Sequence, residues 1–205
     1  MGYEAERRRP VKLRLLTLAL VLLTPSAAFA EWQLMPFLGV TFGGGTTLVD
    51  LEGAVGSANV AVGVSGLFIG DMLGVEADLG YAPGFFQSGA PRLVVRSSAT
   101  TFTGNLVLAV PRRLTQYTLR PYFVGGGGLM HARSEDFFGA VPVTSTLPAM
   151  DVGGGVTGFL THRYGVHWDV RYFRSLRRPD AGTGLSFGAE ELSFWRASMA
   201  LAIQY

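Results

Sequence analysis

Hydrophobic and polar side chains alternate along most of the chain from Glu31 onward. In the clearest segment, Leu73–Tyr81, apolar or aromatic residues occupy every odd position and Gly74, Glu76, Asp78 and Gly80 lie between them. Successive side chains of a β-strand point to opposite faces, so this alternation predicts a strand with two different surroundings. No apolar run after Glu31 reaches the roughly 20 residues of a transmembrane helix. We therefore predict an all-β chain.

Eight such segments follow one another, and the connections between them alternate in length. The predicted strands cover residues 32–43, 59–69, 73–81, 101–110, 119–130, 150–160, 166–172 and 195–205. The predicted connections are long at 44–58, 83–98, 132–148 and 174–191, and short at 70–72, 111–118 and 161–164. Short turns at one end and long loops at the other are typical of an antiparallel up-and-down transmembrane β-barrel. Closing the sheet leaves no unpaired backbone in lipid.

The composition of the two strand faces distinguishes a membrane barrel from a water-soluble one. One face of each clear strand is almost entirely Leu, Val, Ala or aromatic, while the other is mainly Gly, Ser and Thr with isolated charges. An eight-stranded barrel has room inside only for side chains. Small residues would leave space there for a few large charged ones. We therefore predict that the apolar face points outward into lipid.

Aromatic residues support this orientation. Trp32 and Phe42 share one face of the first strand, and Trp195 and Tyr205 share one face of the last, each pair ten residues apart. With a tilted strand this separation spans roughly 25 Å along the membrane normal, which matches the apolar band of such barrels. We predict two interfacial girdles, with Trp32, Tyr117, Tyr164 and Tyr205 at the short-turn end and Phe42, Tyr81, Phe102, Tyr172 and Trp195 at the long-loop end.

The first thirty residues have the three parts of a secretory signal peptide. A basic segment precedes the apolar run Leu15–Leu23, and Ala28-Phe29-Ala30 supplies the small-residue end. We predict cleavage after Ala30, which leaves the barrel as residues 31–205. The remaining chain has 12 arginines, no lysine and 13 acidic residues, so its net charge is −1. No basic patch for nucleic acid survives, and the absence of cysteine excludes disulfides and thiolate metal sites. No motif for a cofactor or a metal ion is present.

Charged residues on the predicted inner face form one candidate cluster. Arg171 and Arg196 lie on neighbouring strands at similar depth and would repel each other without acidic partners. Buried charges are costly unless paired. We expect them to meet Asp169 and one of Glu76 or Asp78. Such a cluster would plug the lumen, and a gated ion path is the alternative.

The sequence gives weaker indications of two other kinds of site, a catalytic site and a binding site in the loops. A hydrolase would need a histidine beside a serine. The chain offers His131, His162 and His167 but no serine at a matching spacing, so we expect no enzyme. The predicted loops carry apolar residues that could bind a partner or fold over the barrel mouth, and arginines that could contact lipopolysaccharide phosphates. The segments that carry the apolar residues are Phe85–Phe86, Leu93–Val95 and Ser134–Phe138, where Phe137 and Phe138 follow three polar residues. The arginines are Arg174, Arg177 and Arg178.

Three stretches carry a resemblance to a known family. The chain resembles the small outer-membrane β-barrels of the OmpA/OmpX/OmpW-like group in Gly74–Tyr81, in Arg120–Gly128 and in its last strand. The resemblance implies that the barrel-assembly machinery reads the last strand, where Ser198, Ala200, Ile203 and Tyr205 occupy the expected places. It also implies contact with periplasmic chaperones, outer-membrane lipids and lipopolysaccharide, and we expect a monomer.

The resemblance specifies an architecture rather than an activity, because this fold hosts pores, enzymes, adhesins and inert anchors. We expect a mainly structural or surface-interaction role with a plugged lumen. A narrow porin-like channel for small or hydrophobic solutes is the alternative, and a lipid A-modifying enzyme is the second alternative.

Overall fold

The computed structural model describes residues 30–46, 58–85, 94–115, 119–136, 143–176 and 192–205. Eight strands account for nearly all of them: β1 Glu31–Thr46, β2 Asn59–Ile69, β3 Leu73–Pro83, β4 Val94–Ala109, β5 Leu119–Asp136, β6 Val143–Phe159, β7 Tyr164–Ser175 and β8 Leu192–Gln204. A short 3-10 helix, Arg112–Leu114, lies between β4 and β5. Within these ranges no helix has the length and apolar character needed to cross a membrane. The predicted signal peptide, apart from Ala30, lies outside the described residues.

The strands form a closed antiparallel barrel in chain order, which confirms the predicted architecture. Each strand pairs with its neighbours in sequence, and β1 also pairs with β8 to close the sheet. The seam is complete at the turn end, where the Tyr205 N–H donates to the Trp32 carbonyl at 2.9 Å. Near the loop end the β1–β8 register shifts between Phe42 and Gly45, and Gly43 has a φ of 59°. Glycine suits this position because a side chain is strained at positive φ.

Strands β4, β5 and β6 extend further toward the loops than the alternation predicted. Residues 94–98, 132–136 and 143–148, which were expected in loops, are paired strand residues. Val94 and Val95 are therefore in β4, and Ser134–Asp136 are in β5. The local sequence resembles a loop because it is rich in Ser and Thr. These residues nevertheless suit a solvated sheet, where they pair across strands.

The outer surface of the barrel is apolar. Trp32, Phe42, Tyr81, Phe102, Tyr164, Trp195 and Tyr205 are exposed on it and Tyr172 is partly exposed, while Tyr117 lies outside the described residues. Exposed Leu, Val and Met side chains fill the band between the two sets of rings. A surface of this kind is stable only in lipid. The structure therefore places the apolar face outward, as predicted.

The interior differs from the small, polar lining that the sequence indicated. In the part of the chain that the structure describes it has three layers, and the four buried carboxylates, Glu76, Asp78, Asp151 and Asp169, lie in the middle one. Toward the loops, an upper apolar layer consists of Ala61, Ala82, Phe85, Ala99, Met130, Ala132, Leu147, Ala149, Phe173, Leu192 and Phe194. Toward the turns, a lower apolar layer consists of Met35, Phe37, Leu67, Ile69, Val107, Ala109, Tyr122, Val124, Ala200 and Ala202. The alternation did not reveal these layers because several large apolar residues lie on the inner face as well as the outer one.

Phe85 shows how the upper layer is completed. Its ring is 1% exposed and packs edge-on against Phe194, with 4.8 Å between the ring centroids. Phe194 stacks in turn on Phe173 at 5.1 Å. Phe85 therefore folds into the barrel mouth rather than facing outward as a contact site. Its predicted companions Phe86, Leu93, Phe137 and Phe138 lie outside the described residues.

A charge placed on the outer band should destabilise the barrel according to depth. Ala77, exposed at the middle of β3, and Thr144, exposed on the extension of β6, both point outward. We expect Ala77→Arg to reduce the free energy of unfolding by about 2–4 kcal/mol and Thr144→Arg by about 0–1 kcal/mol. Urea unfolding in lipid vesicles measures both. Equal costs at the two positions would contradict an apolar band that ends below Thr144.

Candidate functional site

The middle layer of the lumen brings together the five charged residues singled out from the sequence. Glu76 and Asp78 point inward from β3, Asp169 and Arg171 from β7, and Arg196 from β8. Glu76 and Asp78 are two residues apart on β3, and so are Asp169 and Arg171 on β7. Both members of each pair therefore point to the inner face. All five are buried, with between 0% and 5% of each residue exposed.

Arg171 binds two acids at once. Its Nη1 and Nη2 donate to Glu76 Oε1 and Oε2 at 2.5 and 3.1 Å, and its Nε donates to Asp169 Oδ2 at 2.5 Å. The planar guanidinium is suited to this two-sided contact. Because β3 and β7 lie on opposite sides of the barrel, the Arg171–Glu76 pair crosses the lumen.

Arg196 forms a second crossing pair. Its Nη1 and Nη2 donate to Asp78 Oδ1 and Oδ2, both at 2.9 Å. The guanidinium also lies between two rings of the apolar layers, 4.4 Å from the Phe37 centroid and 4.9 Å from that of Phe173. This arrangement adds cation–π attraction in a dry environment.

The two arginines lie directly opposite each other on β7 and β8. Their repulsion is relieved because each takes its own carboxylate from β3. The sequence suggested that one of Glu76 and Asp78 takes part, and the structure shows that both do.

Glycine leaves room for these long side chains. A Cβ at Gly80 would lie 2.6 Å from Arg196 Nη1, and one at Gly153 would lie 2.9 Å from Arg171 Cγ. The glycine-rich inner positions thus serve the arginines directly, in addition to the curvature of a narrow barrel.

Several residues of the network were missed from the sequence. Ser65 donates to Asp78 Oδ2 at 2.7 Å, and Asn105 donates to Glu76 Oε1 at 3.3 Å. Ser198 donates to Asp169, and Asp151 Oδ2 lies 3.8 Å from Arg171 Nη1. Parity placed Asp151 on the inner face, but nothing in the local sequence gave its depth. Depth depends on the register between strands, which pairs Asp151 with Phe173.

His167 continues the network toward the turns. Its Nε2 is 2.7 Å from the Tyr122 hydroxyl, its Nδ1 is 2.8 Å from Thr157 Oγ1, and it lies 3.9 Å from Asp169. Both ring nitrogens are therefore occupied. The lumen-facing serines of β7 and β8 bind elsewhere: Ser175 Oγ accepts from the Leu192 N–H, and Ser198 Oγ donates to Asp169.

The remaining histidines lie outside the lumen. His131 is exposed on β5 with Nδ1 2.8 Å from Thr146 Oγ1, and His162 is exposed in the turn between β6 and β7. Among the hydrogen bonds between described residues, none joins either of these histidines to a serine. The same residues contain no group of three or more His, Cys, Asp or Glu that could hold a metal ion.

Arg120 fastens the turn end of the barrel. Its Nη2 donates to the carbonyl oxygens of Gly70 and Asp71 at 2.9 and 2.6 Å, and its Nε donates to the carbonyl of Val110 at 3.1 Å. These groups at the strand ends would otherwise lack sheet partners. The first residue of the segment Arg120–Gly128 thus stabilises the turn end of the barrel.

The other predicted positions are distributed over the surface. Arg174 is exposed at the loop end of β7, whereas Arg177 and Arg178 lie outside the described residues. In the last strand, Ser198 and Ala200 face the lumen, while Ile203 lies on the outer face and Tyr205 is exposed.

Comparisons with solved structures find the same fold. Neisserial surface protein A has a TM-score of 0.61 and 12% sequence identity, covering 86% of this chain and 99% of that one. The outer membrane protein OprG of Pseudomonas aeruginosa has a TM-score of 0.57 and 14% identity, covering 86% and 96%. No family model matches the chain, and no curated protein sequence does either. The chain has the fold of the small outer-membrane β-barrels, which confirms the predicted resemblance at the level of fold.

The buried pair Arg196–Asp78 is suited to a double-mutant cycle. We expect Arg196→Met or Asp78→Asn alone to cost about 3–5 kcal/mol, because each leaves an uncompensated charge in the lumen. The double variant should cost clearly less than the sum. Urea unfolding in vesicles measures the three values. Additive costs would contradict direct coupling of the two side chains.

Proposed function

We propose that the protein is an outer-membrane barrel whose lumen is closed, with a structural or surface-interaction role in the cell envelope. The observation that carries this proposal is the filling of the lumen at three successive depths. The two crossing pairs occupy the middle, and the upper and lower apolar layers cover them on both sides. A path for ions would have to pass two apolar layers as well as the charges.

The membrane location follows from the same fold and surface. The apolar band needs lipid, and the solved barrels with which the chain shares its fold include an outer membrane protein. We propose export by the signal peptide at residues 1–30 and insertion of the barrel by the assembly machinery. The exposed Tyr205 at the end of β8 is available for that recognition.

Catalysis is disfavoured by the hydrogen bonds of the lumen. His167 is the buried histidine nearest to an acid, and its nitrogens contact Tyr122 and Thr157 rather than a serine. We therefore propose no enzymatic role. Identical lipid A mass spectra from cells with and without the gene are the expected result, and a changed acyl pattern would contradict it.

Planar-bilayer recordings test the closed lumen against the porin-like alternative. We expect the refolded wild-type protein to show no discrete conductance steps. Arg171→Ala should also show none, because it empties part of the charged layer but leaves both apolar layers in place. Steps in the wild type would refute the closed lumen and support a narrow channel. Steps only in Arg171→Ala would show that the charged layer, not the apolar layers, closes the barrel.

A surface role gains support from Arg174. Its side chain is exposed at the outer end of β7, two residues beyond the partly exposed Tyr172. This position is suited to contact with the phosphates of lipopolysaccharide, which arginine binds through paired hydrogen bonds. Arg177 and Arg178 follow it in the sequence and extend the positive charge.

Neutralising the three arginines tests this contact. We expect the triple change of Arg174, Arg177 and Arg178 to Gln to increase the detergent sensitivity of cells that depend on the protein. Arg113→Gln, at an exposed position in a turn at the opposite end, is the matched control and should have no effect. If cells with the triple variant and cells with Arg113→Gln were equally sensitive to detergent, or if neither were more sensitive than the wild type, the proposed contact would be refuted.

A further inference from the structure

The charged layer of the lumen contains more acids than bases. Glu76, Asp78, Asp151 and Asp169 face Arg171 and Arg196, and none of these six side chains is more than 2% exposed. The layer thus has two formal negative charges in excess. A compensating positive charge must come from outside these six side chains, because an unpaired buried charge costs several kcal/mol.

The hydrogen bonds show which carboxylate lacks a partner. Glu76 and Asp78 each accept two bonds from an arginine, and Asp169 accepts from Arg171 and Ser198. Both carboxylate oxygens of Asp151 are buried without any hydrogen bond, although Arg171 Nη1 is 3.8 Å from one of them. Asp151 is therefore the acid at which the missing positive charge is needed.

A second unpartnered oxygen lies in the same row of the barrel wall as Asp151, on the other side of Gly126. Asn105 is 4% exposed, and its Nδ2 donates to Glu76 and Thr103 while its Oδ1 has no partner. Asn105 and Asp151 are the register partners of Gly126 on its two sides. A Cβ at Gly126 would lie 2.2 Å from Asn105 Oδ1, so this oxygen projects over the glycine. The absence of a side chain at Gly126 leaves room there for the Asn105 oxygen.

We propose that the unpartnered acceptors of Asp151 and Asn105, which flank Gly126, bind one small monovalent cation, either a proton or an alkali-metal ion. Both groups accept and neither donates, so the occupant must supply positive charge. A bound proton would reside on Asp151 and could be shared with the Asn105 oxygen. A sodium ion would be bound by the same oxygen atoms, since hard cations prefer oxygen.

A small cavity lies on the turn side of the charged layer. It has a volume of about 20 Å³ and includes Gln33, Glu76 and His167 in its lining. It is large enough for one water molecule, and Gln33 Oε1 in its wall is buried without a hydrogen-bond partner. Asp151 and Asn105 are not part of this lining, so the cavity can hydrate the edge of the charged layer without opening a path through the lumen.

The test compares the wild type with Asp151→Asn as folded barrels in lipid vesicles. The free energy of unfolding is measured over a pH series, and at fixed pH in sodium chloride against choline chloride of equal ionic strength. If the cation is a proton, the wild type should lose stability as pH rises above about 4, by at most tenfold in the unfolding constant per pH unit. If it is sodium, stability should rise with sodium but not with choline.

The amide of Asp151→Asn has no charge to compensate, so this variant should lose the dependence that the wild type shows. The other ionisable groups around the site are present in both proteins, so the difference between the two pH series reports Asp151 together with its coupling to them: Glu76 and Asp78 on β3, Tyr122 on β5, His167, Asp169 and Arg171 on β7 and Arg196 on β8. Asp71→Asn makes the same chemical change in an exposed turn and should behave as the wild type.

Two results would overturn the site: a wild type insensitive to both pH and sodium, or a dependence that persists in Asp151→Asn. If that variant does not fold, the response of the wild type decides alone, through the infrared band of a protonated carboxylic acid or through its sodium dependence. The site goes beyond the proposed closed barrel. The two are tested separately, because conductance reports the apolar layers and stability reports the cation.

Discussion

Closure of the sheet is the constraint on which the rest of this structure depends. In lipid every backbone N–H and C=O must be paired within the protein, so β8 has to meet β1. Eight strands enclose a lumen too narrow for a water-filled pore. Side chains must therefore fill it, and they do so in three layers. The apolar layers remove water from the middle, which makes the pairing of each buried charge there obligatory.

The two ion pairs that cross the lumen satisfy this requirement and also connect strands that are far apart in the barrel. Arg171 and Glu76 are 95 residues apart in the chain, and Arg196 and Asp78 are 118 apart. Such contacts form only in the closed barrel, and their loss leaves an uncompensated charge. The inner glycines give the guanidinium groups space, and the rings of Phe37 and Phe173 both contact the Arg196 guanidinium. The excess of acid over base is the one unbalanced feature of this arrangement.

Much of the fold could be predicted because period-two alternation is a local property. Strand β3 illustrates this, since its alternating residues fall on the outer and inner faces as expected. The ends of β4, β5 and β6 could not be predicted, because Ser and Thr suit a solvated strand and a loop equally well. Phe37 was overlooked for a related reason. An apolar residue fills a lumen as readily as it faces lipid.

The sequence by itself determined the number of strands, the parity of each charged residue and the apolar outer surface, since each follows from neighbours along one strand. Only the tertiary structure decided which charges meet. Asp78 pairs with Arg196, Glu76 and Asp169 pair with Arg171, and Asp151 accepts a hydrogen bond from neither arginine although it lies 3.8 Å from Arg171. The physical reason is that depth in a barrel depends on the register between strands. Backbone pairing sets that register around the whole closed sheet, so no single segment of sequence contains it.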